Sequence, residues 1–467
     1  MRVWKSDELN RVLGLPVQGK PQNASGVSTD TRTLAPGNIF VCLIGDNFDG
    51  HEYATTACQK GATGIIANRM QGELLKEAIP PEINLYLVED TLTALLKLGA
   101  HARDSLSCPV LGVAGSNGKT STKDMLAGMG RQIFKRSYAT RGNLNNHIGL
   151  PLTLANIPED AEIVILEMGM NHAGELAELS KIARPHHSIV TSIALEHAEF
   201  FSSIEEIARA ELEITEGMSG GTLLYHAGSP CQEIAVQTAK NRKLTLEQYQ
   251  AEGSVRLDAA GISFGFKGQL VNNPNYFSRV MAENLYGSIL LLASAGVPVP
   301  ELIRAAGRVK PEAQRRFQVF RKKQNNREIL LIDDSYNANE ASFLAAIRSM
   351  REILPEGRLA LFAGEMAELG NVSPSAHASV GNSAGEMAFA EVFASGTKDA
   401  QILLDGYRAH FKEGRTVLEI DPLKLLDGFT PDKFDGILVK GSRRARMDLV
   451  SDAIKKNGFV NQAESDV

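Results

Sequence analysis

The segment Gly112 to Ser121, GVAGSNGKTS, follows directly on the apolar run Pro109-Val110-Leu111. An apolar strand that runs into a glycine-marked loop and then a helix is how a chain holds a nucleotide's phosphates. Glycines let backbone N–H groups converge on the anion without Cβ obstruction, and the helix presents its positive end. Lys119 adds a point charge for the β and γ oxygens, and the hydroxyl of Thr120 or Ser121 suits a Mg²⁺ ion. The glycines miss the Walker spacing, because the position five residues before Gly118 is Val113. They stand instead at Gly112, Gly115 and Gly118, with Asn117 before Gly-Lys-Thr, which points to a particular subset of ATP users.

A loop of this kind needs a parallel sheet behind it, and 467 residues are enough for two or three domains. Up to about Ser107 short β-like runs (Asn38 to Leu43, Gly64 to Ala67, Leu85 to Val88) mix with a helical stretch, Thr91 to Arg103. A break at Ser105 to Pro109 leads into the phosphate-loop strand, after which apolar strands and helices alternate. A third block begins near Pro311, where PEAQRRFQVFRKKQNNRE reads as a charged connector. Strand-like runs at Glu328 to Ile332, Arg358 to Ala363, Glu391 to Ala394 and Gly436 to Val439 then predict a second doubly wound sheet. The expectation is an α/β chain of three domains, 1–107, 108–312 and 313–467, with the phosphate loop in the middle one.

A net charge of −6 and a pI near 6.0 argue against nucleic acid or an anionic membrane as main partner. The opening MRVWKSDELN is too polar for a signal peptide and no stretch approaches a membrane span, so a cytoplasmic protein is expected. Cys42, Cys58, Cys108 and Cys231 form no CxxC pair or zinc spacing and read as buried reduced thiols.

Two apolar runs of the middle block end in polar residues: Glu162 to Leu166 in Glu167, Ser188 to Ile193 in Glu196-His197. Ligands of open α/β sheets sit beyond the carboxyl ends of strands, so these residues share a rim with the loop. Glu167 is placed either to hold Mg²⁺ or to cap the next turn, and His197 either to ligate or to sit at the surface. The amide-rich Asn143-Leu144-Asn145-Asn146 is either a set of turns or a grip on a polar substrate. In Asp333-Asp334-Ser335-Tyr336-Asn337-Ala338-Asn339, Asp334 suits ribose hydroxyls, and Tyr336 and Asn337 suit a base; an Asn-rich helix cap fits equally. Val439-Lys440-Gly441-Ser442-Arg443 suits an anionic group or a solvated helix start. Two N-terminal loops, Ser28-Thr29-Asp30-Thr31-Arg32 and Gly45-Asp46-Asn47-Phe48, have the look of anion- and sugar-binding turns.

Together these strings resemble the Mur ligase family, ATP-dependent amide-bond enzymes of peptidoglycan precursor synthesis, over nearly the whole chain. Gly115-Ser116-Asn117-Gly118-Lys119-Thr120 resembles the family's ATP loop and accounts for the non-Walker spacing. GNLNNHIGLPLTL from Gly142, EMGMNHAGEL from Glu167 and DDSYNANEAS from Asp333 resemble the branch that adds D-alanyl-D-alanine. GEMAELG from Gly364, His377 downstream and VKGSR from Val439 fit the same branch. The resemblance implies a UDP-sugar-binding domain at 1–107, an ATP-binding domain at 108–312 and a Rossmann-like domain for the dipeptide at 313–467. It implies ATP and Mg²⁺ as cofactors, UDP-N-acetylmuramoyl-tripeptide and D-Ala-D-Ala as small-molecule substrates, and a monomer. On this chain it assigns Thr120, Glu167 and His197 to the metals, and Gly115 to Ser121, Asn284, Arg316, Asp334, Tyr336 and Asn337 to ATP. Ser28, Thr29, Asp30, Arg32, Gly45, Asp46, Asn47, Asn143, Asn145, Asn146, Lys440 and Ser442 fall to the other substrates.

The chain departs from the family in two places. Many relatives carry a lysine after Ile-Ala-x-Ala, carbamylated by CO₂ to ligate a second Mg²⁺; here Ile207-Ala208-Arg209-Ala210 is followed by Glu211. No lysine stands between Lys181 and Lys240, so Glu211 is expected to supply the carboxylate itself, the other reading being an exposed helix glutamate. The stretch Tyr276 to Asn284 lacks the usual histidine-containing string but keeps Asn284. Rival functions are another ligase of this fold, such as a folylpolyglutamate synthase, and a nucleotide-binding regulator that does not ligate.

Overall fold

Short, β-branched runs bounded by polar turns form the first sheet, whose strands β1 (Val27–Ser28), β2 (Ile39–Val41), β3 (Gly64–Asn68) and β4 (Asn84–Val88) lie side by side, all parallel. The structure, a computed structural model, describes residues 1–16, 20–195, 200–324 and 327–462. Directly after β2 a small antiparallel hairpin, Ile44–Gly45 against Phe48–Asp49, carries Asp46 and Asn47 at its tip. Helix α1 (Thr91–Asp104) starts where the Asp90 carboxylate accepts from the Thr93 amide at 2.6 Å. It packs Leu95, Leu98 and Ala102 into the first core.

The middle sheet is built from β5 (Val110–Ala114), β6 (Ser137–Ala139), β7 (Ile163–Glu167), β8 (His187–Val190), β9 (Thr222–His226) and β10 (Thr245–Tyr249). Their order is β6-β7-β5-β8-β9-β10, all parallel. Every residue of β5 and β7 is buried, because helices cover both faces of the sheet. Among these helices are α2 (Lys119–Ile133), α3 (Gly149–Ala155), α4 (Glu175–Ala183), α5 (Ile204–Leu212) and α6 (Arg279–Ser294). Val113 of β5 lies opposite Glu167 on one side and Ile189 on the other, so the carboxyl ends of β7, β5 and β8 form one rim. A three-stranded antiparallel sheet of β11 (Glu252–Asp258), β12 (Gly261–Phe266) and β13 (Gln269–Asn273) is appended to this domain.

The strands of the third sheet are β14 (Gln318–Gln324), β15 (Arg327–Asp334), β16 (Leu359–Gly364), β17 (Glu391–Ser395), β18 (Arg415–Glu419), β19 (Gly436–Lys440) and β20 (Val460–Asn461), with α7 (Glu340–Ile353) following β15. Their order is β18-β17-β16-β19-β15-β14-β20. The stretch read from sequence as a charged connector contains β14, antiparallel to β15. Its Val319 and Phe320 are buried, and the flanking arginines and lysines hid the strand. The edge strand β18 escaped notice because its residues are only half-buried or exposed.

Cys42 and Cys108 are buried while Cys58 and Cys231 are half-buried, and all four are free thiols. Burial pushes the Cys42 thiol up to about 12. Among the described residues no helix is long and apolar enough to cross a membrane.

Side chains tie the first sheet to the middle domain. Asn156, just past α3, accepts from the Val27 amide and donates to the Val27 carbonyl, both at 2.9 Å, and so completes the outer edge of β1. The Trp4 indole donates to the Ala155 carbonyl at 3.0 Å, and Arg103 donates to the carbonyls ending α4, Ala183 at 2.6 Å and Arg184 at 2.7 Å. Replacing Asn156 by alanine leaves a strand N–H and C=O without partners. The substitution is expected to cost about 1–3 kcal/mol, read as a lower denaturant midpoint.

Candidate active site

The loop after β5 owes its shape to two glycines in the left-handed region, Gly115 at φ 122° and Gly118 at φ 90°. A Cβ on Gly115 would lie 2.4 Å from the Thr191 hydroxyl, and one on Gly118 would lie 2.9 Å from the Asn284 amide oxygen. Both positions are therefore closed to side chains by conformation and by contact. The loop's polar backbone is fastened to the segment that leaves β8. Ser116 N donates to the Ser192 carbonyl at 2.8 Å, and Asn117 N donates to the Ser192 hydroxyl at 2.9 Å. The Asn117 carbonyl accepts from the hydroxyls of Thr191 at 2.6 Å and Ser192 at 3.0 Å. Lys119 curls back over the loop, donating to the carbonyls of Gly115 and Ser116.

Glu167 ends β7 and is 1% exposed. Its Oε1 accepts from the Thr120 hydroxyl at 3.1 Å and from the Asn145 amide at 2.8 Å, while Oε2 has no hydrogen-bond partner. A buried carboxylate oxygen with no donor is costly unless a cation meets it. The pair Thr120 and Glu167 therefore fits a hard divalent ion such as Mg²⁺. Among the described residues no three His, Cys, Asp or Glu side chains converge as a complete metal cage. His197 lies outside the described residues. Glu211, also 1% exposed, closes α5 on the loop, where its Oε2 accepts from the Gly115 amide at 2.7 Å. Two residues on, Glu213 accepts from the amides of Gly174 and Ala177 and so caps α4; burial raises its pKa.

The three asparagines take different stations. Asn145 holds Glu167, Asn146 accepts from the Ile148 and Gly149 amides that open α3, and Asn143 is exposed in the turn before them. Asn284, on α6, is 4% exposed against Gly118, with its Nδ2 lacking a partner.

The third sheet brings its own rim to this place. Asp334 and Lys440 are register partners on β15 and β19, and the Lys440 ammonium, 2% exposed, donates to Asp334 at 2.6 Å and to the Asn337 carbonyl at 3.1 Å. Burial raises the Asp334 pKa, opposed by Lys440. The Arg316 guanidinium stacks 4.2 Å over the Tyr336 ring. Ser442 is buried in the turn after β19, where its amide donates to the Glu365 carbonyl at 3.2 Å. His377 is fully buried, accepting from the Met366 amide at 2.9 Å and facing the Ser373 carbonyl at 2.8 Å, so it braces the turn after β16. Asn339 reaches across to the phosphate loop, its Nδ2 donating to Asn117 Oδ1 at 2.9 Å.

In the first domain, Ser28 and Asp30 form a turn in which Asp30 accepts from the backbone and guanidinium of Arg32. That pairing holds the Asp30 carboxyl below its usual range, and the Arg32 side chain is 87% exposed. Thr29 lies beside this turn. Gly45, Asp46 and Asn47 line a cleft of about 430 Å³ together with Leu92, His147 and Ile148. Thr191 and Ser192 did not stand out in the sequence as site residues, while Asn339 fills the helix-cap role that its string offered and in addition reaches the phosphate loop. The signal for the first two was two hydroxyls directly beyond a strand that borders the loop.

Three family models match the chain: the Mur ligase family, catalytic domain at residues 23–100, the Mur ligase middle domain at 113–288, and the Mur ligase, glutamate ligase domain at 315–443. The UDP-N-acetylmuramoyl-tripeptide–D-alanyl-D-alanine ligase of Bacillus subtilis is 33% identical over 92% of this chain and 93% of its own. A crystal structure of MurF from Acinetobacter baumannii shares the fold at TM-score 0.82 and 24% identity, covering 98% of this chain and 99% of that one. The MurF ligase of Thermotoga maritima, solved in complex with ADP, superposes at TM-score 0.75 with 25% identity, over 93% and 99% of the two chains.

Because the β8 exit sets the shape of the loop, Ser192→Ala is expected to weaken nucleotide binding about tenfold and to lower the unfolding midpoint slightly, as loss of its two part-buried hydrogen bonds to Asn117 does. Calorimetric titration with ADP measures it.

Proposed function

The chain belongs to the Mur ligase family, and on that basis we propose that it joins D-alanyl-D-alanine to UDP-N-acetylmuramoyl-tripeptide with conversion of ATP to ADP, in peptidoglycan precursor synthesis. The observation that carries this reading is the pairing of a glycine-shaped phosphate loop with a buried, half-satisfied carboxylate, in a chain aligned over 92% of its length with a ligase of that specificity. The tripeptide's terminal carboxylate attacks the γ-phosphorus of ATP, giving an acyl phosphate and ADP. The dipeptide's amine then attacks the acyl carbon and inorganic phosphate leaves.

Loop amides and Lys119, which turns from the Gly115 and Ser116 carbonyls onto the β and γ oxygens, receive the phosphates. Thr120, Glu167, His197 and Glu211 would hold Mg²⁺, which when bound neutralises charge on the transferring phosphoryl group. Asn145 keeps Glu167 aimed at that ion. We assign the nucleoside to Asn284, Arg316, Asp334, Tyr336 and Asn337, and the dipeptide to the rim that Lys440 and Ser442 shape from below. The Arg32 guanidinium, paired with Asp30 yet exposed, is assigned to a diphosphate, and the cleft at Gly45 to Asn47 to the UDP-sugar end. We divide the chain at 107/108 and 312/313 and expect a monomer in the cytoplasm.

Phosphate release measured with UDP-muramoyl-tripeptide and, separately, D-Ala-D-Ala, diaminopimelate, lysine or D-glutamate should respond to the dipeptide alone. Lys119→Ala should abolish that response with the fold intact. Turnover with another acceptor, or near-normal turnover in the variant, would contradict the reading. Because Glu211 is itself a carboxylate, activity should persist in CO₂-depleted buffer; loss of activity that bicarbonate restores would remove Glu211 from the metal site.

A further inference from the structure

Asn339 stands immediately before α7 and its side chain faces two ways. Oδ1 accepts from the Ser342 amide at 2.9 Å, and the Asn339 amide donates to the Ser342 hydroxyl at 3.1 Å, a reciprocal cap on the helix. Because a backbone N–H can only donate, Oδ1 is fixed on Ser342 and Nδ2 is left to donate to Asn117 Oδ1 at 2.9 Å. Asn117 is equally constrained, since the Thr191 and Ser192 hydroxyls hold its backbone. One hydrogen bond thus joins two fixed pieces of backbone, 222 residues apart, one in the phosphate loop and one in the third sheet domain. The two domains also share a buried apolar cluster, in which Phe264 and Phe277 of the middle domain join Phe343 and Ile347 of α7, and at exposed positions Arg279 pairs with Glu352 and Arg321 donates to the Ala259 carbonyl. Within that contact the Asn339–Asn117 bond is the one that reaches the phosphate loop itself.

We propose that Asn339 is a positioning residue that docks the third domain on the phosphate loop, coupling the state of the nucleotide to the placement of the incoming amine. The proposal rests on the loop being the ATP site. The chemistry is selective for asparagine. Serine and aspartate cap a helix as well as asparagine does. Serine has no donor that reaches Asn117, and aspartate loses the Nδ2 donor and adds a negative charge beside the phosphates.

The test uses the full chain with Asn339→Ser, and Asn339→Asp as a second variant. The unfolding midpoint should stay put because the cap is retained. The kcat of ligation should fall about tenfold, as for loss of one well-formed hydrogen bond, with the KM for ATP little changed. Hydrogen exchange supplies a readout that a merely structural role would not move. A non-hydrolysable ATP analogue should slow exchange at residues 340–343 in the parent chain but not in Asn339→Ser. In an Asn117→Ala background, Asn339→Ser should change that exchange no further. Parent-like kcat and exchange in Asn339→Ser, or an equal effect in both backgrounds, would overturn the coupling. A parent chain that binds the analogue but ligates nothing would count against the ligase reading instead, and the exchange comparison would still judge the link.

Discussion

The site depends on the fastening of the phosphate loop to the segment that leaves β8. The loop cannot make its own hydrogen bonds while it opens its amides to an anion. Its left-handed glycine turns are held in one arrangement because Thr191 and Ser192 take up the backbone groups of Ser116 and Asn117 from the side. Glu211 adds a third point of support at the Gly115 amide. With the loop held from beneath and from one side, its remaining face is available to phosphate.

Around that fixed point the parallel sheet does the positioning. Register places Glu167 opposite Val113, so the carboxylate arrives beside the first turn of α2 and meets Thr120. The same logic works in the third domain, where Asp334 and Lys440 are cross-strand partners and their ion pair comes from the register of β15 and β19. Asn339 then brings the two rims together. The unpaired oxygen of Glu167 and the unpaired Nδ2 of Asn284 both border the loop, which is where a nucleotide and its metal would satisfy them.

Much of this was legible in the sequence, and for a reason. Buried parallel strands are continuous apolar runs, and functional residues follow them at their carboxyl ends, so the phosphate loop, Glu167 and Asp334 announce themselves by position. The strand β14 was not legible because Arg321, Lys322 and Lys323 dominate its composition, although Val319 and Phe320 pack inward. The asparagine strings were ambiguous between turns and binding, and the structure gives both answers. Asn146 caps α3, Asn145 grips Glu167, and Asn339 caps α7 while it reaches Asn117. No spacing in a sequence can show that last contact, because it joins residues from separate domains.

The proposed ligation runs through a carboxylate that ATP activates on this rim as an acyl phosphate. Placing ¹⁸O in the terminal carboxylate of UDP-N-acetylmuramoyl-tripeptide and analysing the phosphate released on ligation to D-Ala-D-Ala follows that step. An acyl phosphate transfers one carboxylate oxygen to phosphate, so one ¹⁸O is expected in each phosphate formed. Ligation that releases unlabelled phosphate would contradict that step.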